Sequence, residues 1–70
     1  MDKSEIRRLQ QYLRGLFKLD ALVLHARANK DDSVEVNVGD EFIGIIFKDE
    51  DEGETSYQFQ MAILDIDLPD

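Results

Sequence analysis

Cysteine and tryptophan are absent from the 70 residues, proline and histidine each occur once, and glycine occurs four times. Without cysteine there is no disulfide to staple the chain, no thiolate for a metal and no thiol nucleophile. The lone histidine, His25, falls short of the ligand set of a zinc site. Nucleophilic catalysis would need it beside a serine, and Ser4, Ser33 and Ser56 all read as cap or turn positions. His25 therefore reads as a surface residue, no catalytic residue is expected, and the chain reads as non-enzymatic. Also missing are a glycine-rich phosphate cradle and an aromatic-basic RNA platform, so no cofactor and no nucleic acid are expected. No apolar run is long enough to span a membrane, and the opening MDKSEIRRL lacks the apolar core of a signal peptide. These two absences point to a cytoplasmic protein without a membrane partner.

Positive charge is scarce in one part of the chain only. Residues 1–30 carry seven Lys or Arg against three Asp or Glu, whereas residues 31–70 carry thirteen acids against one cation, Lys48. The net charge of −8 is thus an acidic C-terminal part joined to a mildly basic N-terminal one. Such a field disfavours nonspecific nucleic-acid binding and favours cationic partners at short range. A chain of this length makes one domain and buries only about 60% of its unfolded surface, which makes association with a partner energetically valuable.

What is present is periodic. Asp2 with Glu5 three residues on forms a capping-box pattern. Ile6, Leu9, Leu13, Leu16 and Phe17 then recur at helical spacing, with Tyr12 at the edge of the stripe and Arg7, Arg14 and Lys18 opposite. The pattern predicts an amphipathic helix over about 3–18, with an earlier end at Gly15 as the alternative. Asp20 opens a strand over about 21–27, and the polar residues 28–33 form a turn-forming linker. Val34, Val36 and Val38 alternate with Glu35 and Asn37 over 34–38. Gly39-Asp40 suits a two-residue II′ turn, and a second β-rich run follows over 41–48. A last strand over about 56–64 alternates Tyr57, Phe59, Met61 and Ile63 with Gln58, Gln60 and Ala62, before a tail over 65–70. The fold expected is α+β, one N-terminal helix packed on a four-stranded antiparallel meander.

Strict pairing from the Gly39-Asp40 turn sets Val36 opposite Ile43 and Val34 opposite Ile45. That puts Ile43, Ile45 and Phe47 under the helix, opposite Met61, Phe59 and Tyr57. Phe42, Gly44 and Ile46 then share the other face as a shallow apolar saddle. Its plain reading is partial cover by neighbouring side chains; its functional reading is a docking surface for a protein partner or a second copy in a homodimer. The run Asp49 to Glu54 reads as a solvated hairpin loop. Asp49, Asp51 and Glu54 are its candidate ligands for weak divalent-cation binding, but Lys48 stands where an EF-hand loop needs its first carboxylate. Past Ile63 the alternation changes phase to Leu64, Ile66 and Leu68. Either a bulge near 62–64 keeps these residues in the sheet, or the tail leaves it for a second surface.

The stretches GDEFIG, FKDEDEGE and FQMAILDIDL resemble a family of short bacterial proteins of unknown function, over nearly the whole chain. The resemblance implies no activity, cofactor or catalytic residue. Two functional expectations follow from the residues: a self-associating interaction module, or a small-ligand or divalent-cation binder using the acidic run.

Overall fold

The computed structural model describes residues 1–27 and 30–70, apart from the side chains at positions 30 and 31. Helix α1 spans Lys3–Phe17 and is followed by β1 (Leu22–Arg27), β2 (Lys30–Val38), β3 (Glu41–Asp51) and β4 (Glu54–Gln60), then a short 3-10 turn at Asp65–Asp67. The strands pair antiparallel in chain order, β1-β2-β3-β4. This is the helix on a four-stranded meander that the periodicity predicts. Four of its strand boundaries move: β2 begins at Lys30, inside the expected linker, β3 runs on to Asp51, and β4 begins at Glu54 and stops at Gln60, short of 64. Residues 28 and 29 of that linker lie outside the described residues.

The helix begins as its capping box dictates. The Asp2 carboxylate accepts from the Glu5 backbone N–H at 2.8 Å, and the Glu5 carboxylate accepts from the Asp2 N–H at 3.2 Å. It ends at Lys18, whose left-handed backbone (φ 54°) returns its N–H to the Arg14 carbonyl. Two polar side chains tie the helix to β1: Arg14 Nε donates to the Leu22 carbonyl at 2.7 Å, and Gln10 Oε1 accepts from the Leu24 N–H at 3.0 Å. These contacts satisfy backbone groups of a strand that lies at the edge of the sheet.

Both hairpin turns follow from their glycines. Gly39 alone has positive φ (60°) in the Gly39-Asp40 turn, as a II′ turn requires. Between Asp51 and Glu54, Glu52 (φ 50°) and Gly53 (φ 82°) are both left-handed, the I′ pattern. The acidic run is therefore not a loop. Its residues extend β3 and β4 into a long hairpin closed by a two-residue turn.

The β2/β3 register departs from strict pairing by one residue. Val38 faces Glu41 and Asn37 faces Phe42 as the turn predicts, but Val36 then faces Gly44 and Val34 faces Ile46. Ile43 is the extra residue of a β-bulge, and from there on β3 presents its opposite parity. Gly44, Ile46 and Lys48 face the helix side, while Ile45 and Phe47 face away. The expected core set is thereby corrected at Ile45 and Phe47, while Ile43 still packs partly buried against the core; Ile46 is 2% exposed and joins Leu13, Leu22, Leu24, Val34 and Val36 in it. β4 follows the same shift, with Phe59 opposite Ile46 and Tyr57 opposite Lys48. Ser33 is a buried strand residue whose Oγ accepts from Arg27 at 3.2 Å, and Ser4 and Ser56 lie in α1 and β4, not in caps or turns.

The expected saddle of Phe42, Gly44 and Ile46 does not form. Ile46 and Gly44 are buried and only Phe42 remains exposed. The missing side chain at Gly44 serves the chain's own last strand. A Cβ there would stand 2.5 Å from the Gln60 carbonyl oxygen and 2.7 Å from the Phe59 ring. Past Gln60 the pairing stops where β3 is bulged, so Met61 to Leu64 leave the ladder.

Two substitutions test the register. Ile46→Ala is expected to cost about 2–5 kcal/mol by opening a cavity in the core, and Ile45→Ala distinctly less. Urea denaturation of the two variants checks the order; a larger loss at Ile45 would restore strict pairing. Glu52→Asn is expected to stabilise the I′ turn by about 0.5–1 kcal/mol, because asparagine tolerates the left-handed backbone better and a like charge is removed. A lower melting temperature for Glu52→Asn than for wild type would contradict the turn assignment.

Candidate interaction surface

Three side chains from α1, β3 and β4 meet at the N-terminal end of the helix. Glu5 Oε2 accepts from Tyr57 OH at 2.6 Å and pairs with Lys48 Nζ at 2.7 Å; Lys48 also reaches Glu50 at 3.2 Å. Both ends of the central pair are largely covered, with 15% of the Glu5 side chain and 23% of the Lys48 side chain exposed. The bulge makes this meeting possible, since strict pairing would turn Lys48 to the far face.

The electrostatics follow from the hydrogen bonds. Lys48, then Tyr57 and the Asp2 N–H, hold the Glu5 carboxyl down at about 2. The hydrogen bond to Glu5, followed by that to Glu50, pushes Lys48 up. Donation to Glu5, reinforced by burial, pushes the Tyr57 phenol up. Each group is fixed in its resting charge state: ionised acid, protonated amine, protonated phenol. The cluster is a clamp holding the helix to the β3–β4 hairpin.

Beside the clamp the helix stands over the sheet without closing on it. An open groove of about 380 Å³ runs between α1 and β4, walled by Leu9, Tyr12, Leu13, Ile46, Tyr57 and Phe59, with Glu5 and Arg8 on its rim. Gln10 and Arg14 tie the helix to β1, and the groove opens on the β4 side. Of the apolar stripe, Leu13 is buried and Ile6 and Leu9 pack partly against the core, but Leu16 and Phe17 are exposed, as is Tyr12 at its edge, to 64%. The tail adds to the uncovered apolar surface. Ile63 is 65% and Ile66 87% exposed, and Met61, Leu64 and Leu68 are exposed beside them.

The other candidates fall elsewhere. His25 is exposed on β1 opposite Glu35, on the sheet face away from the helix. Pairing of Asp51 with Glu54 and of Asp49 with Ser56 sets Asp49, Asp51 and Glu54 on one face of the hairpin. Among the described residues, however, no three His, Cys, Asp or Glu side chains are gathered for a metal ion. No helix among them is long and apolar enough to cross a membrane. The clamp residues Glu5, Lys48 and Tyr57 escape motif reading because each is ordinary in its own segment. The one sequence signal for them is that Lys48 is the sole cation among thirteen acids in residues 31–70.

A family model described as a protein of unknown function (DUF3126) matches residues 5–67 of the chain. No curated protein and no solved structure gives a significant match.

The clamp carries its own pH signature. The folded-state value of Glu5 lies below its unfolded one, so its stabilisation is complete above the ordinary carboxylate range and is lost as pH falls towards about 2. Glu5→Gln is expected to lower the melting temperature at pH 7, and the gap from wild type is expected to shrink steadily between pH 5 and pH 2. A pH-independent gap in thermal melts would show that Glu5 acts only through packing.

Proposed function

The chain belongs to the DUF3126 family, and within that family we propose a non-enzymatic protein-interaction module whose docking surface is the groove between α1 and β4. The observation that carries this reading is the groove itself: an apolar cleft left open beside a helix whose stripe exceeds what its own sheet covers. Tyr12, Leu9 and Phe59 offer the aromatic and aliphatic anchors that protein contacts favour, and the polar residues stand at the rim. A domain of this size gains stability from any partner that buries such a surface. The chemistry of the clamp supports the non-enzymatic half of the proposal, because its charges are mutually satisfied and serve to position the helix.

The reading replaces the Phe42, Gly44 and Ile46 saddle with a surface on the helix side of the sheet. Tyr12→Glu is the direct test, since the side chain is exposed and its replacement leaves the core intact. Analytical ultracentrifugation over a concentration range is expected to show association for the wild type and its loss in Tyr12→Glu, with unchanged circular dichroism. Equal sedimentation of the two folded proteins at every concentration would remove the groove from consideration.

A further inference from the structure

We propose that the occupant of the groove is the C-terminal tail of a second copy of the chain, exchanged reciprocally so that each tail lies along the other copy's α1. The inference rests on the docking role of the groove and adds the identity of what fills it.

Two unmet surfaces in the same molecule match each other. The tail alternates large apolar residues with acids: Ile63, Leu64, Ile66 and Leu68 with Asp65 and Asp67. Its apolar side chains are exposed, Ile66 almost completely, although they recur as regularly as those of a packed strand. The groove is apolar at its floor, and the helix beside it is cationic. Arg8, which lines the groove, forms no ion pair among the described residues, and the rim acid Glu5 is already neutralised by Lys48. The unspent charge at the groove is therefore positive, and that of the tail is negative.

The chain's own tail does not occupy the groove. It lines a cleft with Phe42, Ile43 and Gly44 at the start of β3 and contributes no residue to the groove. Exchange between two copies satisfies both surfaces twice with one two-fold operation, the closed arrangement that isologous dimers use. Met61 and Ala62, released from the ladder by the bulge, are the natural hinge.

The absence of cysteine makes the test clean. Tyr12→Cys and Ile66→Cys proteins are prepared separately, mixed and oxidised, and the folded double variant Ile63→Ser/Ile66→Ser is sedimented beside wild type and Tyr12→Glu. The expected result is a disulfide-linked heterodimer of the two cysteine proteins. Alongside it, the dissociation constant should rise about tenfold or more in both the tail and the groove variants. A tail variant that dimerises like wild type, with no heterodimer crosslink, overturns the tail as occupant; the groove reading then survives if Tyr12→Glu still dissociates. A wild type that stays monomeric at every concentration overturns the exchange and the self-association together. Should the double variant unfold, the crosslink alone decides: its absence overturns the proposal.

Discussion

The bulge at Phe42 and Ile43 turns β3 over by one residue, and in doing so brings Gly44, Ile46 and Lys48 to the helix side of the sheet. Each of the three then has a distinct task. Ile46 fills the core between the helix and the central strands. Gly44 lets the end of β4 close against β3 at a separation no side chain would allow. Lys48 reaches Glu5 and so holds the first turn of the helix to the β3–β4 hairpin. A register shift is costly to reverse because every side chain of the strand changes face at once. The bulge is accordingly the constraint on which the clamp, the core and the departure of the tail all depend.

The clamp and the β1 contacts together explain why the groove exists. Gln10 and Arg14 hold the middle of the helix against β1, while Glu5 alone reaches across to β3 and β4. A helix held this way covers the first strands and leaves the flank of β4 open. In a chain with so small a core, that uncovered flank and the uncovered tail are large features. Both are surfaces that the proposed exchange between two copies would bury.

Much of the architecture was legible in residue patterns, and the failures have physical causes. The capping box at Asp2 and Glu5, the helical stripe, the II′ turn at Gly39-Asp40 and the meander order all follow from local rules. The face of β3 does not, because Ile45, Ile46 and Phe47 are consecutive apolar residues that fit either parity. Period-two reading then defaults to unbroken pairing, and a bulge carries no signature of its own here. The Phe42, Gly44 and Ile46 surface failed with that parity. The hairpin was hidden by composition, since carboxylates read as loop although Glu52-Gly53 makes a tight turn. The clamp joins residues 52 positions apart, a separation no local pattern reports. Lys48 in its acidic surroundings was the one visible trace.

The identity of the β3 residue beneath the helix decides most directly between the shifted register and strict pairing. Methyl-labelled protein examined by nuclear Overhauser spectroscopy reads it without altering a side chain. The shifted register predicts strong cross-peaks from the Ile46 methyls to the Leu13 and Val36 methyls, with Ile45 silent towards the helix. Cross-peaks from Ile45 to Leu13, with Ile46 silent, would contradict the bulge and with it the arrangement of clamp, core and groove.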